Sequence, residues 1–233
     1  MELNLLLVED DTEIREMLST FLGSEGYNIE CAEDGEEALK LFKAMSFNLV
    51  LLDLMIPKKN GMEVMKEIRK ESIVPIIIIS AKDSESDKTL GLGLGADDYI
   101  TKPFSVTDVL ARIKANIRRT TIYSGSSTKE TSEQSFRNIT INTDTYTATK
   151  DGEKLSLTAK EFEILKLLMK NPDKVYTKAQ IYNLVWKDPY LGDENAVNVH
   201  ISRLRNKIED DPKNPLIVLT VWGIGYKLGE NNE

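Results

Sequence analysis

Two different rhythms of apolar and polar residues divide this chain. In residues 1–120, apolar runs at Leu3–Val8, Tyr27–Cys31, Asn48–Asp53, Pro75–Ser80 and Asp98–Thr101 alternate with longer stretches. Those stretches, at Thr12–Ser24, Gly35–Ala44, Gly61–Glu71, Glu85–Leu94 and Val106–Arg119, carry apolar residues at helical spacing. The first, third and fourth runs are apolar almost throughout, as parallel strands covered on both faces are. Five strand–helix units in alternation predict a doubly wound α/β domain with right-handed crossovers. Residues 121–135 break the rhythm: they are rich in Ser and Thr, contain Gly125, and read as a flexible linker. Its span is on the order of 20–25 Å.

The second rhythm, over residues 136–230, is α+β. Phe136–Ile141, Tyr146–Lys150 and Glu153–Leu157 read as a short antiparallel meander. Thr158 and Glu161 have capping-box spacing and open a helix that places Phe162, Leu165, Leu168 and Met169 on one side. Asn171-Pro172 closes it. Thr177–Trp186 and Asn195–Ile208 predict two more helices, joined by a loop with Pro189 and Gly192. Ile217–Val221 and Tyr226–Leu228 flank Gly223 and Gly225 as a hairpin. Three helices followed by a hairpin is the plan of a winged helix-turn-helix.

Charge changes this picture in one place. The chain carries a net charge of −8, which on its own argues against nucleic-acid binding. Residues 1–120 hold 22 acids against 15 Lys and Arg, whereas residues 121–233 hold 16 against 15. Within Asn195–Ile208, His200, Arg203, Arg205 and Lys207 stand together without an acid. No apolar run approaches the roughly 20 residues that span a bilayer, so membrane insertion is not expected. Met1-Glu2-Leu3-Asn4 lacks a basic n-region, and Leu3–Val8 reads as a strand rather than a leader. The single cysteine, Cys31, excludes an intramolecular disulfide and fits a reducing cytoplasm.

The candidate chemistry lies where the strands end. Glu9-Asp10-Asp11, Asp53, Ser80 and Lys102-Pro103 each follow or close an apolar run. In an open parallel sheet these ends share one edge, where ligands bind. Three of these carboxylates, a hydroxyl and an ammonium gathered there can hold a divalent cation, accept a phosphoryl group and neutralise its charge. The plainer alternative for Glu9-Asp10-Asp11 is an N-cap with first-turn acids, and Asp11 fits that role.

Leu7-Val-Glu-Asp-Asp11, Asp53-Leu-Met-Ile-Pro57 with Gly61, Ser80-Ala81 and Gly95-Ala-Asp-Asp-Tyr-Ile-Thr-Lys-Pro103 follow one another in order. So do Leu157-Thr158 with Glu161-Phe162, Val199-His-Ile-Ser-Arg-Leu-Arg205, and Thr220-Val-Trp-Gly-Ile-Gly-Tyr226. With these the chain resembles, over its whole length, the two-component response regulators of the OmpR/PhoB family. The resemblance implies a flavodoxin-like receiver with strands ordered 2-1-3-4-5, followed by a winged helix-turn-helix. It implies phosphorylation of Asp53 by a sensor histidine kinase. Glu9, Asp10, Asp53 and the Met55 carbonyl would ligate Mg²⁺, a hard cation that prefers oxygen. Lys102 would pair with phosphoryl oxygens, aimed by a cis bond to Pro103. Ser80 would donate to the phosphoryl group, and Tyr99 would swing inward behind it. A packed edge-strand aromatic is the other reading of Tyr99.

The resemblance further implies a homodimer on activation, with Lys88, Asp98, Asp108 and Arg112 at the positions of cross-dimer ion pairs. Gly93 stands where many members carry a glutamate that meets Lys114, and Gly91, Gly93 and Gly95 predict an easily remodelled helix end. Promoter DNA and RNA polymerase are the implied partners. Along Asn195–Ile208, Val197, Ile201, Leu204 and Ile208 form a core stripe, and Val199, Ser202, Arg203 and Asn206 face away from it. Val199 suits a thymine methyl and Arg203 a guanine edge, with His200, Arg205 and Lys207 toward phosphates. In the wing, Trp222 replaces an arginine common in the family, a variant similar to regulators of glycopeptide resistance. Two rivals remain at this point. One is an aspartyl-phosphate phosphatase or phosphotransferase, disfavoured by Leu54-Met55 after Asp53 and the lack of a cap insertion. The other is a regulator that works without phosphorylation, disfavoured by the complete pocket.

Overall fold

The computed structural model describes residues 3–121, 132–186 and 194–230. It divides into two units, Met1–Thr120 and Thr121–Glu233.

The first unit alternates β1 (Leu3–Val8), α1 (Thr12–Ser24), β2 (Tyr27–Ala32), α2 (Gly35–Ala44), β3 (Leu49–Leu52), α3 (Gly61–Glu71), β4 (Ile76–Ser80), α4 (Glu85–Leu94), β5 (Asp98–Thr101) and α5 (Val106–Thr121). The strands form one sheet in the order β2-β1-β3-β4-β5, with every pair parallel. Alternate residues serve opposite faces. Leu5, Leu7, Leu49, Leu51, Ile77 and Ile79 thus share a core with Leu18 and Leu22 of α1 and Val109, Ile113 and Ile117 of α5. Four helices begin on polar caps that satisfy free first-turn N–H groups: Asp11, Asp34, Asn60 and Ser84. Asp11 accepts from the Glu13 and Ile14 amides at 2.9 and 3.0 Å, so it serves α1.

In the second unit, β6 (Glu133–Phe136), β7 (Ile139–Asn142), β8 (Thr147–Lys150) and β9 (Glu153–Leu155) form an antiparallel meander. Then come α6 (Ala159–Lys170), β10 (Tyr176–Thr177), α7 (Lys178–Trp186), α8 (Glu194–Ile208) and the hairpin β11 (Val218–Val221) and β12 (Gly225–Leu228). Phe162, Leu165 and Leu168 of α6 and Val197, Ile201, Leu204 and Ile208 of α8 are buried, as the periodicity predicts.

Several boundaries differ from expectation. The segment Phe136–Ile141 is not one strand: Arg137, at φ 51°, turns the chain between β6 and β7. Strand β6 also takes in Glu133–Ser135, the end of the predicted linker, and α5 runs two residues past Arg119. Strand β10 is an addition; it pairs with β12 through Tyr176 opposite Tyr226. The rest of the linker and the loop with Pro189 and Gly192 lie outside the described residues. No helix among the described residues is long and apolar enough to cross a membrane.

Candidate functional site

Strand register builds the first site. Val8 lies opposite Leu52, which sets Glu9 beside Asp53, and Ser80 lies opposite Thr101, which sets Lys102 beside both. Backbone hydrogen bonds fix these ends: the Asp53 amide donates to the Val8 carbonyl at 2.9 Å, and the Lys102 amide to the Ser80 carbonyl at 2.8 Å. Lys102 Nζ then donates to Glu9 Oε1 and Oε2 at 2.8 and 2.7 Å and to Asp53 Oδ2 at 2.6 Å. The other Asp53 oxygen, Oδ1, accepts the Met55 amide at 2.9 Å. Glu9, Asp53 and Ser80 are buried, while Asp10 is exposed at the rim. The Lys102–Pro103 bond is cis. Arg15 holds the loop from below, donating to the Glu9 and Asp10 carbonyls at 2.7 and 3.1 Å.

Burial pushes the Glu9 carboxyl up, against the pull of Lys102. Burial also works against the Lys102 ammonium, but its bonds to Asp53 and Glu9 outweigh it and raise the value. Carboxylate oxygens of Glu9, Asp10 and Asp53 lie within 4.8 Å of one another. All three donors are hard oxygens and two are buried, a set that suits Mg²⁺. Tyr99 is buried, with its hydroxyl donating to the Lys82 carbonyl at 2.8 Å. A Cβ on Gly91 would lie 3.2 Å from the Tyr99 ring and 2.7 Å from Ile78 Cδ1, so α4 seats the ring against a glycine.

The second candidate site is the face of α8. Ser202 and Asn206 are exposed and Val199 is half-buried. Four sequence-predicted contacts have partners within the domain. His200 is fully buried, edge-on to Trp186 at 5.2 Å, which corrects its assignment to a phosphate. Arg203 Nε pairs with the buried Glu161 at 3.0 Å, which leaves its side chain 13% exposed. Lys207 reaches Glu161 Oε2 at 2.6 Å and the Ser156 carbonyl at 2.7 Å. Arg205 donates to the Val218 carbonyl at 2.9 and 2.6 Å and to Thr220 Oγ1 at 2.9 Å, roping the wing to the helix. Trp222, in contrast, is 90% exposed.

Residues 5–114 match the response regulator receiver domain, and residues 152–228 match the C-terminal domain of transcriptional regulatory proteins. The chain belongs to the OmpR/PhoB-type response regulators. It is 51% identical over 225 residues to YcbL of Bacillus subtilis (strain 168), an uncharacterized transcriptional regulatory protein, covering 97% of this chain and 100% of that one. Among solved structures, DrrB, an OmpR/PhoB homolog of Thermotoga maritima, is 30% identical over 99% of this chain and 100% of its own, with a TM-score of 0.52. A mutant of RitR is 26% identical over 98% of this chain and 99% of its own, with a TM-score of 0.76.

The response regulator also contains functional groups that sequence reasoning missed. Glu161 accepts from the Thr158 amide at 2.8 Å as well as from Arg203 and Lys207, so one carboxylate locks α6 to α8. Capping-box spacing signalled the first of these bonds; nothing local signalled the other two. Arg69 donates to the Gly95 and Val74 carbonyls and to Asp97 at 2.9, 2.6 and 2.8 Å, which ties down the α4 end expected to remodel easily. The residues assigned to cross-dimer pairs meet within one chain: Arg112 contacts Asp98 at 2.9 Å and Asp108 at 3.1 Å. Lys114 pairs with Glu25 at 2.8 Å.

Proposed function

We propose that Asp53 is the phosphoacceptor, charged by a sensor histidine kinase, and that phosphorylation controls dimerisation and promoter binding in the cytoplasm. The observation that carries this reading is the Lys102 ammonium bridging Glu9 and Asp53 at the ends of three different strands. An ammonium already seated on the acceptor carboxylate can follow its charge onto an incoming phosphoryl group. Glu9, Asp10, Asp53 and the Met55 carbonyl would hold Mg²⁺, which offsets anionic charge during transfer. An Asp53 oxygen attacks phosphorus, the phosphorus–nitrogen bond of the phosphohistidine breaks, and the imidazole leaves with a proton from solvent. Ser80 donates to the new phosphoryl oxygens, and Tyr99 behind it transmits the change toward α4. The regulator accepts one phosphoryl group and does not turn over external substrates.

The output is a homodimer through α4, β5 and α5, in which Lys88, Asp98, Asp108 and Arg112 set the register, and which presents α8 to DNA and the protein to RNA polymerase. Val199, Ser202 and Asn206 read base edges from the exposed face of α8, with Trp222 in the wing; Arg203, Arg205, Lys207 and His200 hold that face in place. Treatment with acetyl phosphate and Mg²⁺ should add one phosphoryl group, mapped to Asp53 by mass spectrometry. Asp53→Asn should abolish it and Asp10→Asn should weaken it. Undiminished phosphorylation of the Asp53→Asn protein would remove the reading.

A further inference from the structure

The wing tip is short, uncharged and apolar. Ile224 N–H donates to the Val221 carbonyl at 2.9 Å and Gly223 sits at φ 75°, the third position of a type II turn. That turn projects Trp222 at 90% exposure and Ile224 at 55%. An indole this exposed packs on almost nothing of its own domain. From Thr220 to Gly225 there is no charged residue. The tip is also held firmly. Arg205 ropes β11 to α8, and Tyr226 donates to Asn198 Oδ1 of α8 at 2.9 Å. Whatever α8 docks on therefore receives the tip in a fixed position.

We infer that Trp222 and Ile224 form an apolar wedge that enters the minor groove beside the α8 footprint, unstacks one base step and bends the duplex. The inference rests on the reading that α8 binds DNA. A stable protein interface takes about 800 Å² from each partner, far more than two side chains on a three-residue turn provide. A ridge of this kind matches a minor groove about 6 Å wide, where apolar side chains kink DNA by prising steps apart. An aromatic face also stacks on any base, so the contact adds affinity with little sequence preference. The chemistry differs from that of a cationic tip, which gains from the groove's negative potential without opening it.

The test uses the full chain and a duplex that it selects from a random-sequence pool. The duplex carries 2-aminopurine at steps flanking the footprint and a fluorophore pair at its ends. Binding should raise 2-aminopurine emission at one step, shorten the end-to-end distance and shield Trp222 from acrylamide. Trp222→Ala should lose the emission and distance changes and bind about tenfold more weakly, while Trp222→Phe should keep most of the bend. The inference is overturned if the wild-type chain binds with unchanged 2-aminopurine emission and duplex length, or if Trp222→Ala bends DNA like the wild type. In both of those cases the DNA-binding reading survives. Selection that enriches no duplex overturns that reading, and the wedge with it.

Discussion

At Lys102, one ammonium meets two buried carboxylates, and the balance sets a pH dependence. Burial holds the Glu9 proton more tightly than the ordinary value of 4.5. If Glu9 ligates Mg²⁺ as proposed, the ion competes with that proton, so affinity for Mg²⁺ should fall as pH drops, with a midpoint above the ordinary 4.5. Calorimetric titration of the full chain with Mg²⁺ across pH checks this, and Glu9→Gln should flatten the curve. For stability, the Glu9 contribution is fully present below 4.5 and is lost as pH rises through its raised value. The Lys102 contribution is present below 10.5 and is lost only as pH rises through its own raised value. Residues of this pocket were legible because each ends a strand, and parallel strands end on one edge. Arg203 and His200 were not. Helical periodicity gives the angle of a side chain but not what a neighbouring helix offers it. Glu161 and Trp186 turn both residues inward.

The same neighbours change what mutations in α8 should do. Arg203→Ala strips one partner from the buried Glu161 and should cost about 1.5–3 kcal/mol of stability in the second unit. Its effect on sequence preference should be small. Asn206→Ala leaves the fold intact and should lose about 1–3 kcal/mol on the specific site. Both tryptophans, Trp186 and Trp222, lie in this unit, so their emission during urea unfolding reports its stability alone. Competition binding against random duplex reports the preference. Equal loss of specific and random binding in Asn206→Ala would show that the reading face lies elsewhere. Elements of the first unit were legible almost to the residue because each strand has its own apolar run and four of the five helices open on a polar cap. The meander was less so. Arg137-Asn138 lacks the glycine or proline that usually marks a turn, and a two-residue strand such as β10 has no periodicity to detect.

Across the whole molecule, the acidic pocket lies in the first unit and α8 in the second, and the proposed receiver dimer is what would link them. Arg112 already holds Asp98 and Asp108 in the monomer. In the proposed dimer, pairing across the interface would exchange partners rather than add charge contacts, and a pair made by the exposed Asp108 would contribute only about 0–1 kcal/mol. Asp108→Lys should weaken the phosphorylated dimer modestly in sedimentation, and adding Lys88→Glu should restore part of it. The most direct measurement compares DNA affinity of the wild-type chain and Asp53→Asn, each with and without acetyl phosphate and Mg²⁺. Phosphodonor should tighten specific binding of the wild type at least tenfold and leave Asp53→Asn unchanged. Equal tightening of both proteins, or of neither, would contradict the account.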